Sequence, residues 1–130
     1  MIILALRTDK PEAELYLFDN ERKLAELMWP AHLKLAETLN SKIEEILKKS
    51  SISDNSLGAV AVFKGPGSFT GLRIGLSAAN ALAYAYSIPI AAKSGDQWLS
   101  AAIKDLLDGQ NDKIAVPEYG SPPRVTKPRK

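Results

Sequence analysis

The sequence contains no cysteine and a single histidine among its 130 residues. The absence of cysteine excludes a disulfide framework, thiol nucleophiles and cysteine-ligated metal sites. No apolar run approaches the roughly 18 residues that a membrane-spanning helix needs. The opening stretch Ile2–Leu6 is too short for a signal peptide and lacks its basic lead. We therefore expect a soluble, cytoplasmic protein that makes no membrane contact.

The basic residues are concentrated at one end of the chain. Overall, 17 Lys and Arg residues stand against 15 Asp and Glu residues, a net charge of +2. Residues 121–130 hold no acid and four of the basic residues, which leaves 13 basic and 15 acidic residues in the rest of the chain. The four are Arg124, Lys127, Arg129 and Lys130. The body is not a basic nucleic-acid surface, and the basic end either contacts RNA or an acidic partner or is simply solvated.

The apolar pattern of the first two thirds predicts alternating strands and helices. Ile2–Leu6, Glu14–Phe18 and Lys23–Trp29 read as three strands of an antiparallel meander. Apolar residues at spacings of three and four predict a first helix over Ala31–Lys49. The uninterrupted run Gly58–Phe63 predicts a central strand that is buried on both faces.

The last third predicts a second half of the sheet and then a tail. A helix over Gly71–Ser87 leads to a short strand at Ile88–Ala92. The sequence Ser94-Gly95-Asp96-Gln97 has the form of a capping box, which would open a third helix that ends at Gly109. Ile114–Val116 is a candidate last strand. We expect an α/β fold with a mixed five-stranded sheet, three antiparallel strands plus two parallel ones, in one domain over residues 1–116, followed by a Pro-rich basic tail over residues 117–130.

Four glycines and a proline are packed into the loop before the second helix, where residues 65–75 read Gly-Pro-Gly-Ser-Phe-Thr-Gly-Leu-Arg-Ile-Gly. A strand–loop–helix junction of this composition brings backbone close to a neighbouring group. Ser68 or Thr70 can cap the helix, whose free N–H groups attract anions or carboxylates. The loop is neither a P-loop, because no Gly-Lys-Ser/Thr follows, nor a Rossmann fingerprint, because Thr70 stands where the third glycine belongs.

The second helix has little polar surface. Its polar side chains form one narrow stripe, and the remaining positions are Leu, Ile, Ala, Gly or Tyr. The stripe comprises Arg73, Ser77, Asn80, Tyr84 and Ser87. A surface helix normally gives a broad charged face to water. The helix is therefore either buried by its own domain or sandwiched between the sheet and a partner, and we favour the partner.

The glycine-rich motif, read as an unbroken string, resembles the GPGSFTGLRIG stretch of the TsaB/YeaZ family. That family is the non-catalytic partner in the bacterial machinery that makes threonylcarbamoyladenosine in tRNA. The resemblance extends over about residues 1–103, including His32 and the Ile88-Pro89 step. It implies a single actin-like, ribonuclease-H-like lobe. Family members continue well beyond this length, and Pro117-Glu118-Tyr119 resembles a family C-terminus, so we expect a short form that has lost the second lobe internally.

The same resemblance implies that the chain is not a catalyst. The family pattern Ile-Asp-Thr-Ser corresponds to Leu6-Arg7-Thr8-Asp9, so Arg7 replaces the acidic residue, and a cation cannot ligate magnesium. That cation is available to bind an anion or a partner's carboxylate. The catalytic sister subunit uses two histidines one helical turn apart, whereas His32 is alone. Ser68 has no activating histidine nearby and is expected to cap or turn rather than attack. We expect no catalytic residue, no metal site and no cofactor bound by this chain alone.

The function that the resemblance implies is that of a scaffold. In the family, two long helices pack against those of the TsaD-like catalytic subunit, and the complex transfers threonylcarbamoyl to adenosine 37 of tRNAs that read codons starting with A. A TsaE-like ATPase resets the complex, which leaves ATP or ADP to its interface, and a homodimer is expected in isolation. The candidate contact residues are His32, Leu33, Ala36, Leu72, Leu76, Ala79 and Ala83, and the loop that fixes the helix comprises Gly65, Pro66, Gly67, Ser68, Phe69, Thr70, Gly71 and Arg73. The alternative is a small nucleotide-binding enzyme or a peptidase of the same superfamily.

Overall fold

Five strands form one mixed sheet. The computed structural model describes residues 1–118, with every side chain except that of His32. The strands lie in the order β3-β2-β1-β4-β5. The pairs β1–β2 and β2–β3 are antiparallel, whereas β1–β4 and β4–β5 are parallel. The bounds are β1 Ile2–Arg7, β2 Glu12–Asp19, β3 Arg22–Pro30, β4 Leu57–Gly65 and β5 Ile90–Ser94. The predicted fold class, three antiparallel plus two parallel strands, is confirmed.

Three helices cover the two faces of the sheet. They are α1 Leu35–Lys49, α2 Phe69–Tyr86 and α3 Trp98–Leu107. Helix α1 packs on β2 and β3, and α2 packs beside it on β4 and β1. Helix α3 covers β4 and β5 from the other side, where the Trp98 ring meets the Phe63 ring at 5.9 Å. None of these helices is long and apolar enough to cross a membrane, over the residues that the structure describes.

The core lies at the two central strands. Ile3–Leu6 of β1 have no exposed surface, and every residue of Ala59–Phe63 in β4 is buried. Burial on both faces explains why β4 is apolar without alternation. The outer strand β3 is mostly exposed or half-buried, with only Trp29 fully buried. Because the carboxyl ends of β1 and β4 lie side by side, the segments that follow them, Thr8–Pro11 and Pro66–Ser68, are brought together at one edge of the sheet.

Three local predictions are wrong. Ser94–Gln97 is not a capping box: Ser94 is the last residue of β5, and α3 begins at Trp98 after Gln97, whose side chain makes no capping bond. Ile114–Val116 is not a strand, because its backbone is bound by a side chain rather than by a neighbouring strand. The first helix starts as a 3-10 turn over His32–Lys34 and becomes α-helical only at Leu35.

The predicted tail begins within the described residues but lies mostly outside them. Pro117 and Glu118 are described. The Glu118 N–H donates to the Lys64 carbonyl at 2.7 Å, so the chain is still in contact with β4 at that point. The remaining tail positions, 119–130, with the four basic residues, fall outside the described residues.

Candidate functional site

A cleft of about 460 Å³ opens where the glycine-rich loop meets the start of α1 and the turn after β1. It joins residues that are far apart in sequence but that three elements bring to one edge of the sheet. Its lining is Thr8, Asp9, Lys10, Pro11, Ala31, Leu33, Leu35, Ala36, Ser68, Thr70, Gly71 and Ile74. The structure thus brings Ser68, Thr70 and Gly71 of the predicted loop together with the predicted contact residues Leu33 and Ala36.

The loop holds α2 directly against the end of β1. Ser68 is the N-cap of α2, and its Oγ accepts a long hydrogen bond of 3.4 Å from the Gly71 N–H, as the sequence predicted for Ser68 or Thr70. The Thr8 hydroxyl donates to the Gly71 carbonyl at 2.8 Å. A Cβ on Gly71 would lie 2.2 Å from the Thr8 carbonyl oxygen, and a Cβ on Gly75 would lie 2.1 Å from Thr8 Oγ1. Only glycine permits this approach of helix to strand.

Arg7 is neutralised by its own chain. Its guanidinium donates to both Asp9 carboxylate oxygens, at 2.7 and 3.2 Å, and lies 3.9 Å from the centre of the Phe63 ring. Burial would lower the pKa of Arg7, but the hydrogen bond and charge of Asp9 outweigh it and raise that pKa. The cation in the family's acidic position is therefore bound inside the lobe, and its carboxylate partner is Asp9 of the same chain.

The described residues hold no cluster of three or more His, Cys, Asp or Glu side chains that could bind a metal ion. The single histidine, His32, is followed four residues later by Ala36, so a pair of imidazoles one helical turn apart cannot form there. Ser68 is exposed, and the hydrogen bond that the structure gives to its hydroxyl comes from a backbone N–H. This geometry is that of a helix cap.

The predicted contact residues divide into two groups. Leu33 is 89% exposed, and Ala36 is exposed beside it. The four candidates on α2 are buried inside the lobe, because this face of the helix packs on the sheet. They are Leu72, Leu76, Ala79 and Ala83. Their assignment to a partner interface is wrong.

The outer face of α2 carries the polar stripe that the sequence singled out. Arg73, Ser77 and Tyr84 are exposed, together with the neighbouring Ala81, and the Tyr84 side chain is 88% exposed. Arg73 lies 5.1 Å from the centre of the Phe69 ring at the start of the helix. Any partner of α2 must meet this face.

Asn80 is a residue whose role sequence analysis missed. It belongs to the polar stripe, but its amide is turned toward the C-terminal segment. Asn80 Nδ2 donates to the Ala115 carbonyl at 3.0 Å, and the Ala115 N–H donates to Asn80 Oδ1 at 2.8 Å. The side chain thus satisfies both backbone groups of Ala115, as a neighbouring strand would. The sequence showed only that Asn80 belongs to the polar stripe. An amide beside exposed serines does not indicate a specific partner, so this role could not be read from the stripe.

Comparison with known proteins identifies the family. The model of the family "TsaD: tRNA N6-adenosine threonylcarbamoyltransferase" matches residues 30–108, which is more than half of the chain. The chain belongs to the TsaD family. The match runs from the end of β3 to the residue after α3, and it therefore contains α1, the glycine-rich loop and α2, but neither β1 nor the C-terminal segment.

Relatives of this TsaD-family chain include TsaB proteins, which it matches over most of its length. It is 32% identical over 103 residues to the tRNA threonylcarbamoyladenosine biosynthesis protein TsaB of Bacillus subtilis, covering 78% of this chain and 44% of the relative. The TsaB protein of Haemophilus influenzae is 30% identical, over 89% of this chain and 49% of the relative. The tRNA N6-adenosine threonylcarbamoyltransferase of Staphylococcus haemolyticus is 46% identical over 54 residues, 42% of this chain and 16% of the relative. The resemblance to the TsaB/YeaZ family is confirmed, and the chain spans about half the length of the TsaB relatives.

Solved structures agree with the fold. YeaZ from Pseudomonas aeruginosa superposes with a TM-score of 0.67 and 26% identity, covering 72% of this chain and 45% of that one. RuvC of Thermus thermophilus superposes with a TM-score of 0.54 and 13% identity, over 92% of this chain and 86% of that one. The second likeness concerns the fold alone. Both are consistent with a single actin-like, ribonuclease-H-like lobe.

Proposed function

We propose that this chain is a non-catalytic scaffold subunit in the biosynthesis of threonylcarbamoyladenosine in tRNA. The observation that carries the proposal is the similarity to TsaB proteins over 78% and 89% of the chain, since the names of those relatives give that pathway. In this role the chain binds a tRNA N6-adenosine threonylcarbamoyltransferase, the catalytic subunit, and the transfer to adenosine 37 occurs on that partner.

The ion pair of Arg7 and Asp9 at the carboxyl end of β1 supports a scaffold rather than an enzyme. Metal-assisted phosphate chemistry needs carboxylates that are free to ligate a cation. Here the Asp9 carboxylate is engaged by the Arg7 guanidinium through two hydrogen bonds, and only 6% of its side chain is exposed. Breaking a partly buried ion pair of this kind to bind a metal would leave the guanidinium without its partner, which is costly.

The exposed residues around the cleft support docking of a partner at this edge of the lobe. Leu33 is 89% exposed, and it lines the cleft with Ala36, Thr70 and Ile74. A large aliphatic side chain that is nearly free of contacts gains most from burial against another protein, by roughly 2 kcal/mol. The outer face of α2, with Arg73 at its head, continues this surface and supplies a polar rim.

The remaining partners follow from the same role. A TsaE-like ATPase meets the complex of scaffold and catalytic subunit, and ATP or ADP binds at their interface rather than to this chain alone. Without its partner, the chain pairs with a second copy through the surface around Leu33 and the outer face of α2. The threonylcarbamoyl transfer takes place in the cytoplasm, where the tRNA substrates are.

The test compares Leu33→Glu with Leu107→Glu. Leu33 lies in the proposed docking surface, whereas Leu107 is also exposed but ends α3 on the opposite face of the sheet. Leu33→Glu should weaken binding to the catalytic subunit at least 100-fold, because a carboxylate buried without a partner costs about 3 kcal/mol or more. Binding is measured by titration calorimetry, and threonylcarbamoyladenosine is measured by mass spectrometry in a host depleted of its own scaffold.

Both variants must first melt within a few degrees of the parent protein, so that a folding defect is not taken for a lost interface. Leu107→Glu should bind normally and restore the modified nucleoside. If Leu33→Glu binds the catalytic subunit as the parent does, this surface is not the docking site. If the parent chain fails to restore the nucleoside while it binds the catalytic subunit, the scaffold role itself is wrong.

A further inference from the structure

The two edges of the sheet are protected in different ways. The strand order places β3 at one edge and β5 at the other. An edge strand offers its outward N–H and C=O groups to any other strand, and charged side chains or a proline along the edge discourage that pairing. β3 has the exposed charged residues Lys23 and Glu26 and ends at Pro30. Residues 90–92 of β5 are instead apolar and buried, so their side chains give no such protection.

The β5 edge is covered by a segment that follows α3, residues 111–118, which we call the strap. The Ile90 N–H donates to Asn111 Oδ1 at 3.1 Å, and the Ala92 N–H donates to Asp112 Oδ2 at 2.8 Å. In the other direction, the Asp112 N–H donates to the Ile90 carbonyl at 2.8 Å. Two side chains and one backbone N–H thus occupy the place that a sixth strand would take.

The strap is held by hydrogen bonds, with little apolar burial. Of residues 111–118, all of which the structure describes, only Ala115 is fully buried, and Asn80 binds both of its backbone groups. Ile114 is 67% exposed. Lys113 has φ +69 in a three-residue turn that a 2.7 Å hydrogen bond from the Ile114 N–H closes, a rare and strained conformation. Segments with few buried apolar contacts open at a low cost in free energy, so the strap can open while the lobe stays folded.

We propose that the strap is a releasable guard of the sheet edge, and that the chain pairs through the uncovered β5 edge with a second copy of itself. A two-fold axis sets two identical edges antiparallel, and each then offers the other the same N–H and C=O groups. The side chains of residues 90–92 are uncharged, so like charges do not meet across this pairing. The pairing is separate from self-association through the surface around Leu33 and does not depend on the proposed function.

The experiment uncovers the β5 edge in the full-length chain. Asn111→Ala combined with Asp112→Ala removes both side-chain acceptors from the edge. The matched control combines Asp54→Ala with Asn55→Ala, which removes the same two types of side chain from the exposed turn before β4. Both proteins also carry Leu33→Glu, which removes self-association through the proposed docking surface. Hydrogen exchange of single amides is measured by NMR, and the mass in solution is measured by analytical ultracentrifugation, at low and at high protein concentration.

At low concentration, the amides of Ile90 and Ala92 in the uncovered variant should exchange at least about 10-fold faster than in the control, because their acceptors are gone. At high concentration the uncovered variant should form a dimer. The same two amides should then become protected again, because the second copy supplies new acceptors. The control should stay monomeric, with both amides protected at either concentration.

An uncovered variant that stays monomeric at high concentration would overturn the proposal. So would a dimer in which the Ile90 and Ala92 amides still exchange fast, since that dimer would use another surface. Asn80→Ala, also with Leu33→Glu, is the second variant, and it decides the question if the uncovered variant fails to fold. It frees Ala115 without touching the contacts on β5, so it should speed exchange of both amides and promote the dimer by smaller factors. Unchanged exchange and mass for Asn80→Ala would equally overturn the proposal.

Discussion

Replacing Gly71 with alanine should destabilise the lobe more than removing the cap of the same helix. The added Cβ would lie 2.2 Å from the Thr8 carbonyl oxygen and 3.5 Å from the Asp9 Cα. Favourable contacts between such atoms begin near 3.5 Å, so α2 must move away from β1 by about 1 Å. The obstacle is backbone, which cannot rotate aside as the end of a side chain would.

The size of the effect follows from three contributions. Overpacking of a tight contact costs about 1–3 kcal/mol. Moving the helix also stretches the 2.8 Å hydrogen bond from the Thr8 hydroxyl to the Gly71 carbonyl, which is worth about 1 kcal/mol. Alanine regains at most about 1 kcal/mol through its higher helix propensity. With the full alanine gain, the expected loss is about 1–3 kcal/mol, or about 4–12 °C in Tm for a domain of this size.

The assay is thermal unfolding by circular dichroism, with urea unfolding to convert the change to free energy. Ser68→Ala serves as the comparison in the same turn, because its capping bond is long, at 3.4 Å, and should be worth no more than about 1 kcal/mol. If Gly71→Ala melts within about 2 °C of the parent, then α2 does not sit on the end of β1, and the geometry of the cleft is wrong.

Two further predictions concern the outer face of α2 and the network around β2. Ala79→Glu should unfold the lobe, since Ala79 has no exposed surface and a lone buried carboxylate costs about 3–5 kcal/mol. Ala81→Glu, on the exposed side of α2, should change the free energy of unfolding by about 0.5 kcal/mol or less. Equal Tm values for the two variants would mean that the buried and exposed faces of α2 are wrongly assigned. Burial and the hydrogen bond to Glu14 raise the pKa of Tyr16, so above about pH 10 the unfolded chain releases this proton first and stability falls with rising pH. Tyr16→Phe should make that fall in Tm shallower, and an unaltered fall would assign it to other groups.

The sheet was predictable because its signals are local and strong. The unbroken apolar run of β4 fits only a strand that is covered on both faces, and the meander β1–β2–β3 follows from short apolar stretches with a polar turn between the last two. The sequence could not show that Ser94 belongs to β5. Its spacing to Gln97 has the form of a capping box, but Ser94 pairs with Gly65 across the sheet and its hydroxyl donates to Glu118, a residue 24 positions away.

The candidate site was predicted in part. Sequence analysis singled out Ser68 and Gly71 for the motif and Leu33 for its place at a helix start, and the structure places all three at one cleft. The choice of contact residues on α2 failed for a physical reason. Leu72 and Ala79 were chosen for being apolar and small, and those properties also suit a helix packed on a sheet. The polar stripe with Arg73, Ser77 and Tyr84 did mark the outer side of the helix, but the apolar positions beside it gave no sign that the sheet of the same chain, rather than a partner, covers them.

The glycines of the loop bear on what the motif is for. A Gly-rich loop before a helix suggests a cradle for a phosphate, because glycine lets a ligand approach the backbone. In this lobe, each of four motif glycines is approached by another part of the same chain, with an added Cβ meeting protein at 2.0–2.4 Å. The pairs are Gly65 with Glu118, Gly67 with Asp9, and Gly71 and Gly75 with Thr8. The composition of the motif is therefore explained by packing within the lobe, without a ligand. What the motif presents outward is the edge that it builds, with Leu33 on one side and Glu118 on the other, and this edge is the surface through which we propose that the chain binds its partner.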